Sequence, residues 1–501
     1  MNWPEAFVSD VTISRAVHRD VKAGRLRKLA SRLYTRNLTD TPEAIVRRNL
    51  WQIVGGYFPG GLIADRTALE NQPAADGSIC LVADGRHGVT LPGLRLRPRQ
   101  GVPPLDNDRP FVGLYLSSTP RAYLENMRAS RARGGLIART LPRGDIEARL
   151  DAMLRRAGED ALKRLRVGVR ALAPQLALEK EAAELDELIG TLLGTRTGRM
   201  TSRLGKARRA GRPYDPERLE LFGVLHRALR DLAPVIRTAP RRDRTAAGTL
   251  AFFEAYFSNF IEGTEFEVDE AADIVFRGLI PNERPQDAHD VLGTWKVVSD
   301  LEQMRRTPAT APELASLLRH HHAVVMEQRR DKGPGRFKLA GNRAGATTFV
   351  APPLVEGTLD HGFELHRSLE TPFQRAVFMM FLVSEVHPFA DGNGRIGRIM
   401  MNAELVAGGE ERIVIPTVYR NNYLVALKAL SQTGNPEPLI RTLDFAQRWT
   451  RAVAWGELGA TRQVLESCHA FLDPAVADAE GLRLTMPDHG AVKAGSPRRR
   501  R

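Results

Sequence analysis

The sequence predicts a mainly α protein: an all-helical C-terminal core broken once by a β-hairpin, preceded by a small α/β region at the N-terminus. Three observations predict it. After about residue 245 apolar residues recur at helical spacing with short connections, and the pattern persists to about 455. Residues 146–245 are rich in Arg, Ala, Leu and Glu, again at helical spacing. Short strand-like runs bounded by turn residues are confined to the first 145 residues and to one stretch before Pro352-Pro353.

The 501 residues are too many for one ordinary domain, so two or three are expected. Hydrophobic residues at 43% and charged residues at 26% fit a globular chain able to bury cores. Lys and Arg number 73 against 59 Asp and Glu, a formal net charge of +14, which permits a polyanionic partner without requiring one. Cys80 and Cys468 stand far apart with no CxxC or Cys/His neighbourhood, which argues against a zinc site or a disulfide framework. No secretory leader opens the chain and no apolar run is long enough to span a bilayer, so no membrane association is expected and the cytoplasm is the expected address.

Taken in order, TISRAVHRDVKAG sets Ile13, Val17 and Val21 on one helical face, with Gly24 as the stop. RLRKLASRLYTR alternates apolar and basic residues about Ala30-Ser31, the pattern of a two-stranded wing. The string GRLRKLASRLYT resembles the N-terminal domain of the AbiEi antitoxin and its relatives, which often sit on regulators of toxin–antitoxin loci. That resemblance implies DNA as a partner, met by Arg25, Arg27 and Lys28. Little chain precedes Thr12 to build the motif's first helix. PEAIVRRNLWQIVGGYF then reads as a helix, and strands follow at 79–82, 89–91 and 94–96, again in AbiEi-like order. The basic helix RRAGEDALKRLRVGVRAL reads as a solvated face, and TRTGRMTSRLGKARRAGRPYD as a loop or linker.

One string carries chemistry: His387-Pro388-Phe389-Ala390-Asp391-Gly392-Asn393-Gly394-Arg395-Ile396-Gly397-Arg398. It lies between the apolar helix FQRAVFMMFLVSEV and the helix opening IMMNAELVAGG, so its polar residues fall in a helix–loop–helix turn. Gly392 and Gly394 permit a loop whose backbone N–H groups converge, and the next helix adds its free amides, a nest for phosphate oxygens. Arg395 and Arg398 are three apart, hence on one face, and their forks suit polyphosphate. Asp391 is a hard oxygen ligand for Mg²⁺. His387 has the ordinary pKa of a general base at neutral pH. Phe389 is the core anchor of the loop. Together these describe phosphoryl-type transfer.

The string matches in full the HPFx[DE]GNGRxxR signature and is similar to the Fic family. The resemblance implies that His387 deprotonates a Tyr, Ser or Thr hydroxyl of a protein target, or of the enzyme itself, which attacks the α-phosphorus of ATP. It implies Asp391 as the Mg²⁺ ligand and Asn393 as a phosphate-positioning amide. Gly392 and Gly394 form the anion hole, and Arg395 and Arg398 hold the β- and γ-phosphates. Relatives acting as kinases carry Lys where this chain has Gly394, so AMP transfer is favoured. GRFKLAGNRAGATTFVAPPLVE, with Gly345 in its turn, resembles the family's flap, whose edge at Thr348, Phe349 and Val350 clamps the target backbone. VYRNNYLVALKAL resembles the helix lining the adenine pocket, with Tyr423 as its aromatic. Ser431 stands where many relatives have Asn, which leaves transfer of another nucleotide open.

Upstream, Ser258-Asn259-Phe260-Ile261-Glu262-Gly263 resembles the family's inhibitory pattern [ST]xxxE[GN]. It implies that Glu262 pairs with Arg398 and denies it to the γ-phosphate; in some relatives the same glutamate supports AMP removal. Many relatives with this motif self-associate, so a homo-oligomer is a further expectation. A second reading is a DNA-binding regulator of its own locus using this core as a nucleotide sensor. The segments expected are a partial winged-helix-like element (1–40), an AbiEi-like module (41–145), a charged connecting region (146–245), an inhibitory-helix segment (246–290), the catalytic core (291–455), a C-terminal helix (456–480) and a disordered basic tail (481–501).

Overall fold

The computed structural model describes residues 3–345 and 347–487, so the four-arginine end of the tail lies outside the described residues. The chain is mainly α and divides into two compact units, Met1–Gly211 and Arg212–Arg501. The division falls inside the charged stretch that composition alone marks as one connecting region.

The first unit opens on a three-stranded antiparallel sheet. Strand Arg27–Ala30 pairs with Leu33–Thr35 through a turn at Ser31-Arg32, where Arg32 takes a positive φ of 63°. The residues before Thr12 supply the strand Ala6–Val8 on the other side of Leu33–Thr35. The helix Ser14–Lys22 lies between these strands in sequence and buries Val17. Of the three cations expected to meet DNA, Arg25 is paired with Asp20, Arg27 donates to the Asp40 carbonyl, and Lys28 is exposed.

The single helix expected over PEAIVRRNLWQIVGGYF is two helices, Pro42–Arg48 and Leu50–Tyr57, because Asn49 caps the first with φ −106°, ψ 23°. Behind them stands a six-stranded mixed sheet in the spatial order 89–91, 94–99, 78–82, 62–63, 114–116, 109–111. Two of its strands, Leu62–Ile63 and Leu114–Leu116, are too short to show a period. Ile45, Val46, Ile53, Val54, Ile79 and Leu81 form the core between the helices and the sheet. The long helix Arg143–Leu176, kinked at Gly158, and the helix Glu179–Leu192 bury Leu150, Leu162, Leu165, Leu185 and Ile189 in a separate core. The stretch expected as a loop carries a short helix, Arg203–Arg209, whose first turn is capped by the Ser202 hydroxyl accepting from Gly205 N–H.

In the second unit the helices Pro372–Val386 and Asn393–Ala407 form the centre. Pro372–Val386 starts on a capping box between Thr371 and Gln374 and buries twelve of its fifteen residues. Such a helix is apolar on all sides because it is packed on all sides. Phe222, Leu318, Phe363, Tyr423 and Leu443, from five different helices, surround it. A second cluster of Phe252, Phe253, Phe257, Val414 and Trp449 holds the helix Arg244–Ile261 in place. The first residues of the tail, 482–487, are ordered by that cluster: Leu484 is 9% exposed and the Trp449 indole N–H donates to the Thr485 carbonyl at 3.0 Å. The hairpin is present as Arg343–Ala344 paired with Thr347–Thr348, with Gly345 at φ +57°. Among the described residues no helix is long and apolar enough to cross a membrane.

Candidate active site

The central helix ends at His387, which takes a left-handed conformation, φ 52°, ψ 58°, while its N–H still closes the last helical turn on Val383. That reversal throws the next residues out into a loop. Phe389 is fully buried and stacks on His322 at 3.8 Å between ring centroids. Asn393 ties the loop to itself: its Oδ1 accepts from Phe389 N–H at 2.8 Å and its Nδ2 donates to the Phe389 carbonyl at 3.0 Å. Both ends of this amide, expected to position phosphate, are therefore engaged in holding the loop's shape. Gly392 needs its lack of a side chain, with φ +74° and Met326 where a β-carbon would go. The helix Asn393–Ala407 starts immediately after it and presents its free N–H groups at the cleft.

His387 is a neutral imidazole. Its Nδ1 lies 3.1 Å from the Ser384 carbonyl, which can only accept, so Nδ1 carries the proton and Nε2 keeps its lone pair. Burial pushes its pKa down to about 4, against the upward pull of the Ser384 carbonyl. Phe349 of the flap lies flat on the imidazole, 3.7 Å between centroids and 5° between planes. Thr348 is exposed, Phe349 is half-buried, and Val350 is fully buried in the core, where it anchors the hairpin.

Arg398 is held by protein groups through Nε and Nη2. Its Nη2 donates to Glu262 Oε1 at 2.7 Å and to the Ser258 carbonyl at 2.8 Å, and its Nε donates to the Ser258 hydroxyl at 3.0 Å. Glu262 caps the helix Arg244–Ile261 and Gly263, at φ +92°, turns the chain away immediately afterward. A carboxylate at a helix C-terminus faces the wrong end of the dipole. Burial alone would also raise its pKa, yet the Arg398 and Arg395 charges bring it below the usual carboxylate value. The Glu262 carboxylate also crowds Gly394, where any β-carbon would overlap it. It thus sits in the anion nest itself, besides neutralising one of the nest's arginines.

Arg395 is 3% exposed and paired with Asp290 Oδ2 at 2.8 Å. Asp290 is in turn gripped by Arg329 at 2.7 Å. The contact of Arg395 with Asp391 is long, 4.0 Å. Asp391 has 42% of its side chain open and accepts the Gly392 N–H on Oδ1 at 2.7 Å, while its carbonyl accepts from His322 Nε2. A single accessible carboxylate beside an anion nest fits Mg²⁺, which is commonly held by one or two carboxylates plus substrate phosphates. Among the described residues no cluster of three or more His, Cys, Asp or Glu could hold a metal without such help.

Tyr423, expected to line the adenine pocket, is 1% exposed; its ring lies under the Arg398 guanidinium at 5.9 Å, and its hydroxyl reaches Met380 Sδ at 3.3 Å. A side chain so buried backs the arginine. The exposed residues of its helix, Arg420–Thr433, include Asn421, Asn422 and Val425. Ser431 donates to Glu385 at 2.6 Å.

Sequence reasoning missed several residues that build this site. Asp290 and Arg329 sit in no motif. Arg420, through its bond to the Ile261 carbonyl at 3.0 Å, pins the end of the Glu262 helix. His322 was signalled only by standing in the run His320-His321-His322, and the flap residues Lys338 and Asn342 bind the Pro388 and Phe389 carbonyls.

Residues 313–405 match the Fic/DOC family. Over 100 residues the chain is 31% identical to the protein adenylyltransferase Fic of Drosophila yakuba, 20% of each chain. A match of 240 residues to that of Drosophila grimshawi, at 22% identity, covers 47% of this chain and 49% of the relative. Among solved structures, Fic-1 from C. elegans gives a TM-score of 0.35 at 18% identity, over 65% of this chain and 90% of that one. The chain spans about 20% of the length of curated relatives such as the D. yakuba protein. The Fic/DOC match contains the flap and the His387–Arg398 loop; Glu262 and Asp290 lie before it and Tyr423 after it.

Proposed function

We propose that the second unit is a protein adenylyltransferase that moves AMP from ATP to a Tyr, Ser or Thr hydroxyl of a protein, held inactive by Glu262. The observation that carries this reading is the coincidence of a neutral His387 with a free Nε2 and an anion nest closed by a removable carboxylate. The names of the curated relatives agree with it.

In this mechanism the triphosphate enters where the Glu262 carboxylate now lies, against Gly392, Gly394 and the first turn of Asn393–Ala407. Arg398, once released, meets the γ-phosphate, and Arg395 the β-phosphate. Asp391 would hold Mg²⁺, which supplies charge neutralisation to the phosphates. Nε2 of His387 takes the proton of the target hydroxyl as its oxygen bonds to the α-phosphorus and the bond to pyrophosphate breaks. Base catalysis of this kind contributes about 10²–10⁴-fold. Phe349 has to leave the imidazole for the hydroxyl to reach it.

Autolabelling with α-³²P-ATP and Mg²⁺ tests the reading on three proteins: wild type, Glu262→Gly, and Glu262→Gly/His387→Ala. Label strong in the single variant alone supports both transferase and brake. Label absent from all three, with UTP, GTP and CTP as well, favours the nucleotide-sensor reading or an obligatory external target. Binding of DNA by residues 1–40 is a separate proposal, tested by a steep salt dependence lost on mutating Arg25, Arg27 and Lys28.

A further inference from the structure

The flap has one feature that target docking has to meet. Phe349 N–H donates back across the hairpin to the Asn342 carbonyl at 3.2 Å. Bonded and non-bonded positions alternate along an antiparallel pair. The neighbouring pair, Arg343 with Thr348, is therefore a non-bonded one, and Thr348 directs its backbone carbonyl outward, to the edge an extended peptide would join. That carbonyl is already taken. Arg218, in the first turn of the helix Pro216–Arg230, donates Nη2 to it. The other arm of the same guanidinium, Nη1, pairs with Glu385 Oε1 at 3.0 Å. Glu385 is 3% exposed and is fixed from the far side by the Ser431 hydroxyl, so Arg218 is anchored on rigid structure two residues from His387.

We propose that Arg218 is a positioning residue that holds the outward carbonyl of Thr348 in competition with the backbone of the target, which has to displace it to dock; this rests on the transferase reading above. The partner is an extended segment that donates a main-chain N–H to Thr348 and carries its hydroxyl residue beside His387. Displacement leaves Arg218 paired with Glu385, so docking exchanges one hydrogen bond for another and strands no buried charge. Because Phe349 adjoins Thr348, the same exchange frees the residue that covers the base. This restraint acts on target entry and is separate from Glu262, which acts on the nucleotide.

The test uses the full chain carrying Glu262→Gly. Arg218→Lys keeps a positive charge beside Glu385 and has no fork to reach Thr348 as well. Arg218→Gln with Glu385→Gln, which removes both charges together, serves if the lysine variant folds poorly. Three quantities are read: hydrogen exchange of the flap amides 343–350, ATP affinity by titration, and the autolabelling rate. Loss of one solvent-exposed hydrogen bond predicts flap exchange and autolabelling each faster by about 2- to 10-fold, with ATP affinity unchanged. Unchanged flap exchange overturns the proposal. So does autolabelling that falls as the flap loosens, since Arg218 would then support docking. If the Glu262→Gly parent takes no label from any nucleotide, the transferase reading loses its support from self-modification, and flap exchange still decides whether Arg218 holds Thr348.

Discussion

Glu262 and Arg398 are 136 residues apart in sequence, and their side chains meet at 2.7 Å over the first turn of the helix that follows the catalytic loop. The contact does two things at once, filling the space over Gly394 and satisfying the arginine that the proposed function assigns to a γ-phosphate. Removing the carboxylate therefore opens space as well as charge. Glu262→Gly is expected to raise autolabelling by about 10- to 100-fold, the worth of a charge-assisted bond. Ser258→Ala removes only the Nε partner of Arg398 and should give a smaller rise. A Ser258→Ala effect equal to that of Glu262→Gly would show that the grip on Arg398, and not occupation of the nest, is the whole brake.

Asp290 joins Arg395 to Arg329 and is 1% exposed. Asp290→Ala leaves two cations short of a partner, one of them buried, and should destabilise the second unit by about 3–5 kcal/mol. Asp290→Asn keeps the shape and an oxygen acceptor while removing the charge, and is expected to cost less stability than Asp290→Ala. Urea denaturation of both variants checks the ranking.

Three histidines of the second unit, His321, His322 and His387, are each pushed by burial to about 4 from an ordinary 6.5. A buried neutral histidine takes up its proton more readily in the unfolded chain. Between pH 6.5 and 4 the unfolded state therefore binds more protons, and stability falls as pH falls through that window. Each group contributes about 1.4 kcal/mol per pH unit within it. Thermal melts between pH 7.5 and 5 should show a falling midpoint, and His322→Gln should flatten the slope. Above pH 6.5 these groups make no contribution to a pH dependence.

Tyr423 gives a direct check on the nucleotide pocket. Its hydroxyl meets Met380 Sδ inside the core, so Tyr423→Phe should leave ATP affinity within about 2-fold of the parent. Tyr423→Ala opens a core cavity and should cost about 3–5 kcal/mol of stability. A Tyr423→Phe protein that loses ATP binding while folding normally would return this residue to the adenine site.

The fold class was legible from periodicity, because the helices of the second unit are long enough for apolar residues to repeat. Boundaries were less so. The break at Asn49 and the helix Arg203–Arg209 depend on single caps, and the two-residue strand Leu62–Ile63 has no period to read. The position of the division at Gly211 could not be read from composition, since the charged stretch looks the same on both sides of it.

By itself the sequence determined the loop that carries the candidate site, because His387 to Arg398 are contiguous and a glycine-rich turn between two helices fixes their mutual geometry locally. It also named Glu262, through a short pattern, as a candidate partner for Arg398. Only the tertiary structure decided which groups those side chains meet. That Asp290 holds Arg395, that Tyr423 lies beneath Arg398, that Phe349 covers His387 and that Arg218 occupies the flap edge are all contacts between segments distant in sequence. Such contacts are set by how apolar faces pack around Pro372–Val386, and close packing brings together residues whose chain neighbours carry no trace of the meeting.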